Sequence, residues 1–112
     1  MNQLDRFESR LDALTTEILV PLRVSKTVQS KAISELYALA DELADALKDE
    51  ELIPRRLAGK LWFVFTQMLA EADHTRMPDD ILMSAWGYQD RLRRIFRSSR
   101  SASPPVPGVP RY

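Results

Sequence analysis

Apolar residues recur along this chain at intervals of three and four, the spacing of one face of an α-helix. Leu4, Phe7, Leu11, Leu14 and Ile18 form the first stripe, with charged residues between them. Asn2 is placed to cap this segment and Pro21 to stop it, which predicts a helix over residues 2–20. Val28, Ala32, Leu36, Leu39, Leu43 and Leu47, flanked by Ile33, Tyr37 and Ala40, predict a second over 25–50. Pro54 suits the opening turn of a third over 54–74, whose inner side is Leu57, Leu61, Val64, Phe65, Met68, Leu69 and Ala72. A fourth is predicted over 78–97, with Asp79 and Asp80 at the end where the helix dipole favours negative charge. Its inward arc is Ile81, Ala85, Tyr88, Leu92, Ile95 and Phe96.

No stretch alternates in the manner of a strand. The connections are about two to six residues long, so sequential helices are expected to be antiparallel neighbours. The expected fold is therefore all-α, an antiparallel four-helix bundle over residues 1–97. The remaining segment, SSRSASPPVPGVPRY at 98–112, is dense in serine and proline and almost devoid of large apolar side chains. Such a composition cannot bury enough surface to offset its ordering entropy, and a disordered tail is expected. PPVP within it meets the loose spacing of proline-module ligands, a pattern common by chance.

A chain of 112 residues with 45% hydrophobic residues can enclose one core. The N-terminus is charged throughout, without the apolar stretch of a signal peptide. The longest large apolar run, LWFVF at 61–65, is too short to span a bilayer. With no cysteine, disulfides and thiolate chemistry are absent. A cytoplasmic protein that does not enter the membrane is expected.

Charge changes the picture in two places. Residues 35–51 hold seven acids against one base, whereas 91–112 hold six arginines and no acid, although the net charge is zero. DEELIPRR at 49–56 also places acids at a helix C-terminus and arginines at the next N-terminus, both against the dipole. In an antiparallel bundle, Arg91, Arg93, Arg94 and Arg97 are expected near Asp49, Glu50 and Glu51, as mutually neutralising ion pairs. The competing reading is an anion or nucleic-acid site built on Arg91, Arg94 and Arg100. The neutral total and the adjacent acidic helix weigh against nucleic acid.

Candidate chemistry is sparse. Glu71 precedes the single histidine, His74, by three residues, the Glu-x-x-His spacing of bundle metal sites. A helical wheel carries His74 away from the core side, and Glu35, Asp41, Glu42 and Asp45 also point outward. His74 is accordingly read as the end of a helix, with no metal and no cofactor. Gly59-Lys60 lacks the rest of a phosphate-binding loop. No nucleophile–base pair is evident, so no catalytic residue is assigned.

Two aromatic residues fall off the core arcs. Phe63 lies opposite Leu61, beside the small residues Gly59, Thr66 and Ala70, which would let another helix approach closely. Trp86 shares a side of its helix with Arg93 and Arg97. Aromatic residues among arginines have the composition of interface anchors. They could instead cover the rim of a closed core. The expected function is a non-enzymatic protein–protein interaction module, self-associating as a homodimer or binding another protein through Phe63, Trp86, Arg93 and Arg97. Arginine- and alanine-rich, lysine-poor composition suggests a bacterial source. At the level of class analogy this points to an adaptor, immunity protein, antitoxin or chaperone.

Overall fold

A computed structural model of the chain describes residues 2–76 and 78–97. The tail expected at 98–112 lies outside the described residues, as does Arg100. Four helices account for most of the rest: α1 (Gln3–Ser25), α2 (Ser30–Leu47), α3 (Arg55–Ala72) and α4 (Asp79–Phe96). Asn2 caps α1 as expected, its Oδ1 accepting from the Asp5 N–H at 2.8 Å.

Pro21 does not stop α1. The helix runs through it for another turn, because Leu22 beyond the proline is buried against the core, as Leu19 is before it. Packing of those leucines outweighs the hydrogen bond that proline cannot donate. The stop comes at Lys26, whose backbone is left-handed (φ 55°, ψ 32°) and donates to the Leu22 carbonyl at 3.1 Å. The extra turn delays α2 to Ser30, and Val28 packs on the core from the connection rather than from a helix. The third helix ends at Ala72, so His74 occupies the following turn, its N–H donating to the Glu71 carbonyl at 3.1 Å.

The bundle is assembled from two helical hairpins. Each helix reverses direction relative to its predecessor, but the packed pairs are α1 with α2, α1 with α3, α2 with α4, and α3 with α4. The sequential pair α2 and α3 sits across the diagonal, against the expectation that successive helices adjoin. Side-chain pairs give the directions. Glu8 meets Arg56 and Lys60, while Arg23 and Lys26 meet Glu71, so α1 and α3 run parallel. Tyr37 reaches Ser84, and Asp41 meets Arg91 and Arg94, so α2 and α4 are parallel too. Within the second hairpin, Trp62 meets Phe96 and Phe65 meets Trp86, so α3 and α4 are antiparallel, and Tyr88 reaches Leu61 between them. The connection over 48–54 is long enough to cross an end of the bundle, since a diagonal of about 14 Å is well within the reach of seven residues.

The core is built almost wholly from leucine, isoleucine, valine, alanine and phenylalanine, with Met68 and Tyr88 the exceptions. No charged side chain of the described residues is buried in it. Tyr88 is fully enclosed, and its hydroxyl donates to the Leu61 carbonyl at 2.7 Å. Burial pushes that phenol well above its ordinary pKa. Leu4, Leu47, Leu69 and Ile95 are only partly buried at its margins. Phe96, assigned to the inward arc, is instead exposed at the surface.

Candidate interaction surface

The outward side of α3 is unusually poor in charge. On α3, Arg56, Lys60, Gln67 and Glu71 project towards α1, where they are occupied. Lys60 Nζ lies 2.7 Å from Glu8 and 3.0 Å from Asp12, and Lys26 Nζ lies 2.7 Å from Glu71. Hydrogen bonds from Lys60 and Arg56 hold the Glu8 carboxyl below its usual range, and Lys26 does the same to Glu71. Trp62 and Phe65 project towards α4. Between these flanks, Gly59, Phe63, Thr66 and Ala70 face solvent.

The aromatic residues of α3 and α4 form a continuous row. Phe96 lies 5.7 Å from Trp62, Trp62 lies 5.9 Å edge-on to Phe65, and Phe65 lies 5.8 Å from Trp86, all between ring centroids. Phe65 is buried beneath the row, whereas Trp62 and Phe96 remain 37% exposed and Trp86 48%. Phe63 is 46% exposed and enters none of these ring contacts. The two aromatics singled out from sequence are thus both at the surface, on neighbouring helices rather than against one another. Trp62, next in sequence to the inward Leu61, carries no signal of its own in the sequence pattern. Its approach to Phe96 depends on how α4 lies against α3.

The arginines divide into two sets. Arg91 and Arg94 turn to α2: Arg94 lies 3.0 Å from Asp41 and 3.5 Å from Asp45, and Arg91 Nε 3.7 Å from Asp41. The Arg91 guanidinium also sits over the Tyr37 ring at 4.0 Å and donates to the Gly87 carbonyl at 3.0 Å. Internal neutralisation therefore takes place, but with Asp41 and Asp45 rather than the expected Asp49, Glu50 and Glu51. Parallel packing of α4 on α2 brings the arginines level with the middle of α2. Arg93 and Arg97 stay exposed on the Trp86 side, Arg93 lying 3.8 Å from Asp90 and donating to Gln89 Oε1 at 3.5 Å on its own helix.

His74 borders an open cleft at one end of the bundle, together with Lys26, Ser30, Arg76 and Ser84. Among the described residues, no three His, Cys, Asp or Glu side chains stand close enough together to hold a metal ion. No helix of the described residues is long and apolar enough to cross a membrane. Comparison with protein-family models, curated proteins and solved structures finds no match.

Proposed function

We propose that this chain is a non-enzymatic protein–protein interaction module that docks through the outer sides of α3 and α4. The observation that carries the reading is the solvent exposure of Trp62, Phe63, Trp86 and Phe96 on two adjoining helices. Large aromatics contribute most when a partner desolvates them, and Arg93 and Arg97 supply a polar margin beside Trp86. Arg91 and Arg94, by contrast, are engaged with α2.

The test compares the wild-type chain with a Phe63→Ser/Trp86→Ser variant as bait in extracts of the source cells, with sedimentation of each protein alone. Loss of a bound protein or of an oligomer, with the helical content retained, is the expected result. A double variant with unchanged partners, oligomeric state and solubility would remove the proposal.

A further inference from the structure

Gly59 has no explanation inside its own chain. It lies within α3, where glycine is a poor helix former, and a Cβ built on it would meet nothing within 4 Å. Gly87 provides the contrast, because a Cβ there would lie 2.9 Å from Cζ of Tyr37. Whatever makes glycine useful at position 59 must approach from outside.

The charges on the same stripe point to what approaches. At 100° per residue, Arg55, Gly59, Trp62, Phe63, Thr66, Ala70 and Asp73 fall within a sector of about 100°, and all are exposed. Arg55 at the N-terminal end and Asp73 at the C-terminal end enter none of the ion pairs formed among the described residues. Both also oppose the dipole of their own helix. A second α3 laid antiparallel on this stripe resolves each of these features. Arg55 then meets Asp73 of the second copy at both ends, where each charge suits the other helix's dipole. Gly59 meets Ala70 and Phe63 meets Thr66, so small residues receive backbone or ring. The three pairings share one register to within a residue, as a two-fold interface requires. A parallel pairing would set Arg55 against Arg55 and Asp73 against Asp73.

Resting on the interaction reading above, we infer that the partner for the α3 stripe is a second copy of this chain, packed antiparallel through Gly59, Phe63, Thr66 and Ala70. The stripe is about 27 Å long, a single-helix contact at the small end of stable interfaces, for which weak, micromolar association is expected.

The test is sedimentation of the full chain from about 1 to 200 µM, a range that spans micromolar association, alongside thermal melts. Gly59→Gln has room within the chain and a better helix former, so it should leave folding intact while weakening dimerisation at least about tenfold. Arg55→Asp and Asp73→Arg should each weaken it, and the two together should restore it. In a chain free of native cysteine, Gly59→Cys/Ala70→Cys should cross-link into a dimer. Gly59→Cys alone should not, because antiparallel packing holds the two thiols about 16 Å apart. A wild-type monomer at every concentration, a Gly59→Gln dimer as tight as wild type, or cross-linking by Gly59→Cys alone would each overturn the inference. A monomer that still loses a captured protein on Phe63→Ser/Trp86→Ser would remove the second copy while leaving the docking surface intact.

Discussion

Glycine-to-alanine substitution is expected to have opposite signs at two positions of this protein. Each change gains about 1 kcal/mol of intrinsic helix propensity. At Gly59 the added methyl group meets nothing, so Gly59→Ala should keep that gain and raise the melting temperature by about 5 °C. At Gly87 the methyl group would lie 2.9 Å from the Tyr37 ring, inside normal carbon contact. The ring has little freedom to retreat. Its hydroxyl donates to the Ser84 carbonyl at 2.8 Å, and the Arg91 guanidinium covers it. Overpacking costs about 1–3 kcal/mol and a displaced hydrogen bond about 1 kcal/mol, so Gly87→Ala should lose about 2 kcal/mol net. Urea unfolding at low micromolar protein, followed by far-ultraviolet circular dichroism and tryptophan fluorescence, separates the two if the m-values agree. A Gly87→Ala protein as stable as wild type would refute the claim that Tyr37 sets the approach of α4 to α2. Loss of stability in Gly59→Ala would show a role for Gly59 within the chain. In a Tyr37→Ala background the added cost of Gly87→Ala should shrink, since the clash is then gone.

Glu8→Gln should destabilise the protein most near neutral pH. The Glu8 carboxyl is held below 4.5 by Lys60 and Arg56, so its ionised form stabilises the fold above the unfolded value. That contribution fades as pH falls through the lowered native value, and the gap in melting temperature from wild type should close in acid; a gap independent of pH would contradict this. Tyr88→Phe should cost about 1 kcal/mol in urea unfolding by removing the hydrogen bond to Leu61. Burial raises the Tyr88 pKa above the ordinary 10.0, so this difference should be full below pH 10.0 and shrink as pH rises further. Pro21→Ala restores a backbone donor inside α1 and should stabilise by about 1 kcal/mol or more, read as a higher melting temperature.

The number and inner sides of the helices were legible because burial enforces a period that the leucines display directly. The ends were less so. Pro21 carries a strong local stop signal, yet Leu22 beyond it has burial to gain, and tertiary packing prevailed. Lys26 in a left-handed conformation leaves no composition cue of the kind glycine would. Neighbour order was beyond periodicity, because placing α3 beside α1 depends on pairing Arg56 and Lys60 with Glu8 and Asp12. The same rearrangement exchanged the acids that meet Arg91 and Arg94. Phe63 and Trp86 were recognisable as leftovers from single-helix wheels. The contact of Trp62 with Phe96 required two helices at once, and the wheel of α4 alone placed Phe96 on the inward arc.

The enclosed leucines of α3 and α4 could slide past one another by a turn and still find apolar company. Tyr88 cannot, because its hydroxyl would leave the Leu61 carbonyl and be stranded in the interior. On the opposite side of α4, the Tyr37 hydroxyl is fixed to the Ser84 carbonyl in the same way. Two phenols therefore act as pegs that give α4 a single axial setting against both neighbours. In an interior of interchangeable hydrocarbon, these two polar atoms carry the information that makes the native alignment unique.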